Sequence, residues 1–445
     1  MREDWVECLL NELCTIYPGV GFPKDKQGKV DGHYPFYKVG DISKNVQAGN
    51  RFLHLCDNYI NKGDIPNTEN KVLPPNSITF AKIGEALKLN RRCITNKYSL
   101  VDNNAIGVKA NGCLNDLYLY FYFLTIRLEK FSRATTVPSV RKSDIENIKL
   151  PLPPLPIQRA IVAKIEELFS ALDKGIADLK KAQAQLKIYR QAVLKKAFEG
   201  ELTKEWREKQ LKPEKWKKQL LKNVSSLNPK PIKKKIPSDL EIQFLPMRLV
   251  EKVKNKIHLE ETRNFQDVQK KSYTFFEEGD VLFAKVTPCM ENGKIAIAKG
   301  LKNKMGYGSS EFYVFRVNEK LSNEYLFNFL VQEKFRSDSQ HAMTGAVGLK
   351  RVPRKFLEDY EIPIPSIREQ HQIVQEIESR LSVCDKVEQS IAESLEKAQA
   401  LRQSILKKAF AGSLLSAAEI AVCKAAPDYE PASVLLEKMK AEKKK

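Results

Sequence analysis

The sequence lacks most of the patterns that bound metals and reacting groups require. Its eight cysteines stand at positions 8, 14, 56, 93, 113, 289, 384 and 423, and no two form a C-x-x-C pair. The usual zinc and dithiol spacings are therefore missing. The five histidines, at 33, 54, 258, 341 and 371, are equally isolated. Both residue types read as packed or solvated side chains. There is no apolar run of the roughly 18 residues that a membrane-crossing helix needs. The first residues, Met1-Arg-Glu-Asp-Trp5, carry no apolar signal region. A reducing, cytoplasmic setting is expected.

Catalytic motifs are scarce too. A G-x-x-x-x-G-K-[ST] loop for nucleotide phosphates is absent. An adenine-N6 methyltransferase would need an Asn/Asp-Pro-Pro-aromatic loop. The nearest string, Asn228-Pro229-Lys230-Pro231, does not qualify. Gly19-Val-Gly21 and Gly306-Tyr-Gly308 lack the strand-turn-helix setting of a methyl-donor site. Asp57 with Glu69-Asn70-Lys71 is the best match to a metal-dependent nuclease, on a triplet that is common by chance. The expectation is a chain that binds and organises, without metal or cofactor of its own, while other chains do chemistry.

What the chain does have is positive charge: 75 Lys and Arg against 55 Asp and Glu, a net +20 over 445 residues. The excess is uneven. Residues 206–360 hold 31 bases and 19 acids, hence +12, whereas residues 361–445 hold 13 of each. Such a concentration points to a polyanionic partner, of which nucleic acid is the common one.

The chain also repeats itself. At an offset of 212, residues 151–202 align with 363–414 without a gap, and 19 of 52 positions are identical. Gln158 meets Gln370, Ile161 and Val162 meet Ile373 and Val374, and Leu194-Lys-Lys-Ala-Phe198 meets Leu406-Lys-Lys-Ala-Phe410. Within each copy apolar residues recur every seven positions: Leu172, Leu179, Leu186 and Val193, then Cys384, Ile391, Ala398 and Ile405. A second series three residues later takes in Ala182 and Tyr189, and Val387 and Leu401. This is the heptad pattern of helices packed along a seam. Pro156 and Pro365 stand at the entries, Ser366 with Glu369 suggests a capping box, and Gly200 and Gly412 follow the ends. Two helices of about 40 residues, each near 60 Å long, are expected to pair antiparallel.

The rest of the chain is duplicated more faintly. Trp5, Leu9, Leu10 and Leu13 resemble Trp216, Leu220, Leu221 and Val224. Ser77-Ile-Thr-Phe80-Ala-Lys82-Ile83 resembles Asp280-Val-Leu-Phe283-Ala-Lys285-Val286, and both read as strands. Aromatic helical stretches (117–124 and 325–330) and Thr/Gly-rich loops (134–137 and 344–347) follow. The expected class is α+β: mixed α/β domains at 1–150 and 208–360, helical segments at 151–207 and 361–415, and a helical tail at 416–445. A frame kept in duplicate under differing surface sequence suggests two reading heads with different targets.

A variable domain, a Pro-rich entry and a helix ending Leu-Lys-Lys-Ala-Phe-x-Gly-x-Leu, all repeated, resemble the specificity subunits of type I restriction-modification enzymes. Pro151-Leu-Pro-Pro-Leu-Pro-Ile-Gln158, Arg190-Gln191 and Gly200-Glu-Leu-Thr-Lys-Glu-Trp206-Arg207 carry the likeness. Leu435-Leu-Glu-Lys438-Met-Lys440-Ala-Glu442 is similar to the tail of an enterobacterial branch. One departure is Gly412-Ser-Leu-Leu-Ser416, which lacks the Trp-Arg ending and so puts the matching contacts in doubt. The resemblance implies two target recognition domains, each reading half of a split, asymmetric DNA site. It implies a paired-helix spacer that docks two methyltransferase subunits, and two restriction subunits with motor and nuclease activity. Those partners would use S-adenosylmethionine, ATP and Mg, and the methyltransferase would flip out one adenine per half-site.

Candidate DNA contacts lie on expected loops: Lys82, Arg91, Arg92, Arg133, Thr135, Thr136 and Arg141, then Lys285, Asn292, Lys294, Thr344, Lys350, Arg351 and Arg354. The side-chain types suit phosphate neutralisation and base-edge reading. The competing readings are a stand-alone DNA-binding regulator, a metal-dependent nuclease built on Glu69, and a structural coiled-coil protein. The last is disfavoured by the large basic globular share.

Overall fold

A computed structural model describes residues 4–66, 69–132, 137–210, 215–231, 236–269, 271–346 and 348–442. It divides into two compact units, Met1–Asp178 with Ser394–Lys445, and Leu179–Glu393. These units cut across the blocks expected from the sequence, because each long helix runs through both.

The units share one plan. In the first, a four-stranded antiparallel sheet has the order Cys14–Pro18, Ala105–Ala110, Ile78–Ala81, Cys93–Ile94. In the second, the matching order is Ser225–Leu227, Phe312–Val317, Val281–Ala284, Ile295–Ile297. Both Phe80-type strands read as short apolar runs, and every residue of Ile78–Ala81 and Val281–Ala284 is buried. Each unit adds a two-stranded ribbon, Val6–Leu9 with Lys149–Leu152 and Lys217–Leu220 with Glu361–Ile364. Gly306 and Gly308 lie in a strand, where a Cβ on Gly306 would come within 2.7 Å of the Phe276 ring. They serve packing and not a methyl-donor turn. Among the described residues no helix is long and apolar enough to cross a membrane.

The two long helices span Leu155–Phe198 and Ile367–Phe410, each of 44 residues. Gly200 and Gly412 end them with φ of +80° and +76°, a conformation that glycine adopts without strain. They run antiparallel in both units. In the first unit Asp173 pairs with Arg402, and Lys164 reaches Glu419 on the short helix Ala417–Lys424 that follows. In the second, Arg190 reaches Asp385 at 2.5 Å and Glu388 at 3.1 Å. Positions 173 and 190 become 385 and 402 at the repeat offset of 212. One ion pair is thus made twice, with the roles of the helices exchanged.

The seam differs from the expected one at three of the four positions of its second series. Cys384, Ile391, Ala398, Ile405 and Val193 are buried, and Leu172, Leu179 and Leu186 half-buried. In the series three residues later Ala182 is half-buried as expected, but Tyr189 is 45% exposed, Val387 41% and Leu401 50%. The half-buried positions lie four residues on, at Ile176, Gln183 and Arg190 and at Glu388, Leu395 and Arg402. Heptad contacts alternate steps of three and four. Four of these six, Gln183, Arg190, Glu388 and Arg402, are polar, so a search for apolar residues passes over them.

Each helix is fastened to its unit by one buried glutamine. Gln158 Oε1 accepts from the Asn115 N–H at 2.8 Å, and its Nε2 donates to Cys113 O and Pro153 O. Gln370 repeats this with the Ser322 N–H, Lys320 O and Pro365 O. Asn115 and Ser322 are the N-caps of the aromatic helices Asp116–Thr125 and Asn323–Val331. From those helices Tyr118 and Tyr325 donate to Pro151 O and Pro363 O, at 2.7 and 2.9 Å.

Beyond the helix ends the copies diverge. In the second unit buried Glu369 accepts from Thr203 Oγ1 (2.8 Å), Arg207 Nε (2.8 Å) and Trp216 Nε1 (3.0 Å). The expected capping box is therefore half formed: Ser366 caps the Glu369 N–H at 3.3 Å, but the Glu369 carboxylate points elsewhere. In the first unit Ile157 stands at the place of Glu369 and Leu415 at that of Thr203. Trp5, Ile157, Ile161, Leu415 and Ile420 form an apolar cluster there, and Trp5 Nε1 has no partner. The missing Trp-Arg ending is matched by a missing carboxylate.

Substituting Gln158 by Leu removes the acceptor of the Asn115 N–H and the donor to two carbonyls. Buried unpartnered groups cost about 1–3 kcal/mol each. We expect the variant to lose about 3 kcal/mol of stability in urea titration, and an unchanged midpoint would contradict the clamp.

Candidate nucleic-acid interface

In each unit the loop that precedes the second ribbon strand returns to the end of the Phe80-type strand. In the first unit the Val140 N–H donates to Lys82 O at 2.9 Å, and Ile83 bridges Ser139. In the second, the Val352 N–H donates to Lys285 O at 2.9 Å, and Val286 bridges Arg351. The same bond recurs at the offset of 212 on the loop side. The local reason is the Ala-Lys step, where the strand leaves its sheet with a carbonyl still free to accept.

The second unit gathers several candidate side chains here. Lys285 is half-buried, with Nζ 5.0 Å from the centroid of the Tyr313 ring. Burial lowers its pKa, the nearby Glu311 opposing this and Arg351 adding to it. Arg351 makes a bidentate pair with Glu311, Nε to Oε2 at 2.8 Å and Nη2 to Oε1 at 2.7 Å. Thr344 and Arg351 exchange two backbone hydrogen bonds, 3.0 and 2.8 Å. The Lys350 N–H donates to Thr287 Oγ1 at 3.2 Å, and the Lys350 side chain is exposed. Asn292 lies on the turn that follows Thr287, half-buried.

Other candidates are committed elsewhere. Lys294 Nζ donates to Met247 O at 2.7 Å. Arg354 is exposed but pairs with Glu358 at 2.7 Å and reaches Leu227 O at 3.1 Å. In the first unit Lys82 is half-buried and Arg141 exposed, one residue beyond the Val140–Lys82 bond. Arg91 is half-buried, and its carbonyl accepts from Arg92 Nη1 at 2.9 Å. Arg92 is 2% exposed and covers the Phe80 ring, so it does not stand on the surface where a DNA backbone would lie. Arg133, Thr135 and Thr136 lie outside the described residues.

The nuclease reading finds no support in this geometry. Asp57 is engaged by Lys44. Among the described residues no three His, Cys, Asp or Glu side chains gather as a metal site. The residues that sequence reasoning missed were Gln158 and Gln370 as clamps, the Asp173–Arg402 and Asp385–Arg190 pairs, and the Glu311–Arg351 fork. The first two sets carried a signal, since they are identical between copies. The last had none, because Glu311 and Arg351 are far apart in sequence and have no identical counterpart.

A family model described as the type I restriction modification DNA specificity domain matches residues 2–181 and 213–397. The chain belongs to this family. More particularly, it is similar to the EcoAI specificity subunit of Escherichia coli, 37% identical over 195 residues, 44% of this chain and 33% of that one. The EcoEI specificity subunit is 36% identical over the same length, with 32% of it covered. The match thus spans about a third of the length of these two relatives. The EcoKI specificity subunit of Escherichia coli K12 aligns with 100% of this chain and 96% of its own length, at 24% identity. Two solved structures share the fold. One, from a study of the assembly and conformational transition of a type I system, has TM-score 0.69 at 18% identity, covering 93% of this chain and 99% of that one. The other, the HsdS subunit of Thermoanaerobacter tengcongensis, has TM-score 0.58 at 19% identity, covering 93% and 98%.

The Glu311 carboxyl sits below its ordinary pKa of 4.5, held there first by its hydrogen bonds from Arg351. A depressed carboxylate stabilises the fold above its unfolded pKa, and that contribution disappears as pH falls through the folded value. The bond between this loop and strand is therefore expected to loosen only below the usual carboxylate range. An NMR titration of Glu311 checks this, and in Arg351→Met its pKa should return toward 4.5.

Proposed function

We propose that this chain is the DNA specificity subunit of a type I restriction-modification complex. Its two units read the two halves of a bipartite, asymmetric site. The observation that carries the reading is one frame built twice under unlike loops. The glutamine clamps and interhelical ion pairs are identical in both units. The residues at the strand-loop junction are not: Asn104 and Ser139 occupy the places of Glu311 and Arg351. The positive excess of residues 206–360 supports a polyanion on the second unit. Family membership supports the same assignment.

In this reading the chain performs no chemistry and holds no cofactor. Two methyltransferase subunits dock on the helices, and two restriction subunits complete the complex. They supply the use of S-adenosylmethionine, ATP and Mg, in the cytoplasm. Lys350, exposed beside the Arg351 fork, neutralises phosphate, while Arg351 presents a guanidinium that Glu311 holds flat. A planar, pre-oriented guanidinium suits the O6/N7 edge of guanine.

The test is to sequence methylated adenines in cells that carry the chain with its methyltransferase partner. Arg351→Ala should relax one position of one half-site, with a base discrimination loss of about 1–3 kcal/mol. Lys350→Ala should weaken binding at all sites alike and reduce the salt slope by about 1. Methylation that ignores both substitutions would rule out this surface. Failure of the chain to co-purify with a methyltransferase, while binding its site alone, would favour the stand-alone regulator.

A further inference from the structure

The first unit contains a cavity of about 470 Å³ that the proposed reading does not use. Arg51, Arg92 and Arg402 line it, with the rings of Tyr120, Phe121 and Phe169. Arg51 lies over Tyr120 and Phe121, at 5.8 and 5.2 Å from their centroids, and Arg402 over Phe169 at 4.9 Å. Two of the three guanidinium groups have carboxylates: Arg51 reaches Glu166 at 2.5 Å, and Arg402 pairs with Asp173. Arg92 has none in hydrogen-bonding range. Its Nη atoms donate to Arg91 O and Asn90 Oδ1, and its Nε donates to nothing.

The second unit shows that the fold does not require an arginine there. Ile78 pairs with Ile94 and Thr79 with Cys93, as Val281 pairs with Ile297 and Leu282 with Ala296. One step further, Arg92 covers Phe80 at 4.7 Å, where Ile295 lies opposite Phe283, fully buried in the core. Likewise Phe169 stands at the place of Leu381. An unpaired buried charge is costly, and an aliphatic side chain serves the same position without that cost.

We propose that this cavity is a binding site for a small planar organic anion, an aromatic carboxylate or a nucleoside monophosphate. The volume lies within the range of small-molecule sites, about 300–1,000 Å³. The anionic group meets the Arg92 guanidinium, which no protein carboxylate hydrogen-bonds. The planar body stacks among three rings and two guanidinium planes. Burial already pushes the Arg92 pKa down to about 9, with the Glu129 charge opposing, so a bound anion supplies what the site lacks. Nothing in this inference depends on which DNA the chain reads.

The experiment titrates the full chain, without partners, with benzoate, adenosine monophosphate and inorganic phosphate, followed by calorimetry and thermal shift. The result expected is saturable binding of at least one planar probe, and weaker binding of inorganic phosphate. Whichever planar probe binds identifies the carboxylate or the phosphate as the preferred anion. Arg92→Ile should weaken that probe at least tenfold, yet melt no lower than the parent when ligand is absent. Arg92→Lys, which keeps the charge, should retain part of the affinity. The proposal is overturned if neither planar probe binds, if Arg92→Ile binds as well as the parent, or if inorganic phosphate binds as tightly as the planar probes.

Discussion

Everything in each unit is hung from one buried side-chain amide. The glutamine at the fourth residue of each long helix spends both ends of its amide on backbone groups: a helix N-cap N–H and two carbonyls. An amide offers a donor and an acceptor at fixed separation. Glutamate would lose the donor and leucine both. The clamp therefore fixes the start of the helix against the aromatic helix, which shares a core with the strand of Phe80 or Phe283. The tyrosine that donates to the proline carbonyl at the helix entrance secures the same joint from the other side. With the start fixed, the axial register of each helix is fixed, and the ion pairs between Asp173 and Arg402 and between Asp385 and Arg190 fall into place.

Duplication preserved the joint and let the surroundings change in compensated sets. Glu369, Thr203, Arg207 and Trp216 form a polar knot in one unit, while Ile157, Leu415, Ile420 and Trp5 form an apolar one in the other. Keeping Glu369 without Arg207 would leave a buried charge uncompensated, a loss of about 3–5 kcal/mol. Replacing the whole set avoids that. The remaining trace is the Trp5 indole N–H, which lost its acceptor and gained none. The same exchange appears at Arg92 and Ile295, but there no carboxylate hydrogen-bonds the charge. That difference separates a structural replacement from a position that a ligand can use.

The two strand-loop junctions follow the same division. The backbone bond from loop to strand end is common to both units. What it presents is a fork of Glu311 and Arg351 on one unit and Asn104 with Ser139 on the other. A common scaffold with local side-chain differences lets one part of the molecule be shared by partners while another discriminates.

Sequence alone determined the repeat, the length of both long helices, their terminal glycines and the apolar runs of the central strands. These are local or strictly periodic properties, written in neighbouring residues. It also marked Gln158, Gln370 and the Asp and Arg of the ion pairs as identical positions, without saying what they touch. Only the tertiary structure decided the rest. The partner positions of the seam fell four residues on, at Arg190 and Arg402 and not at Tyr189 and Leu401, because polar residues paired across the helices occupy them. Arg92 went inward and Glu311 met Arg351 for the same reason: pairs distant in sequence acquire energy only when folding brings them together, and no local pattern records that distance.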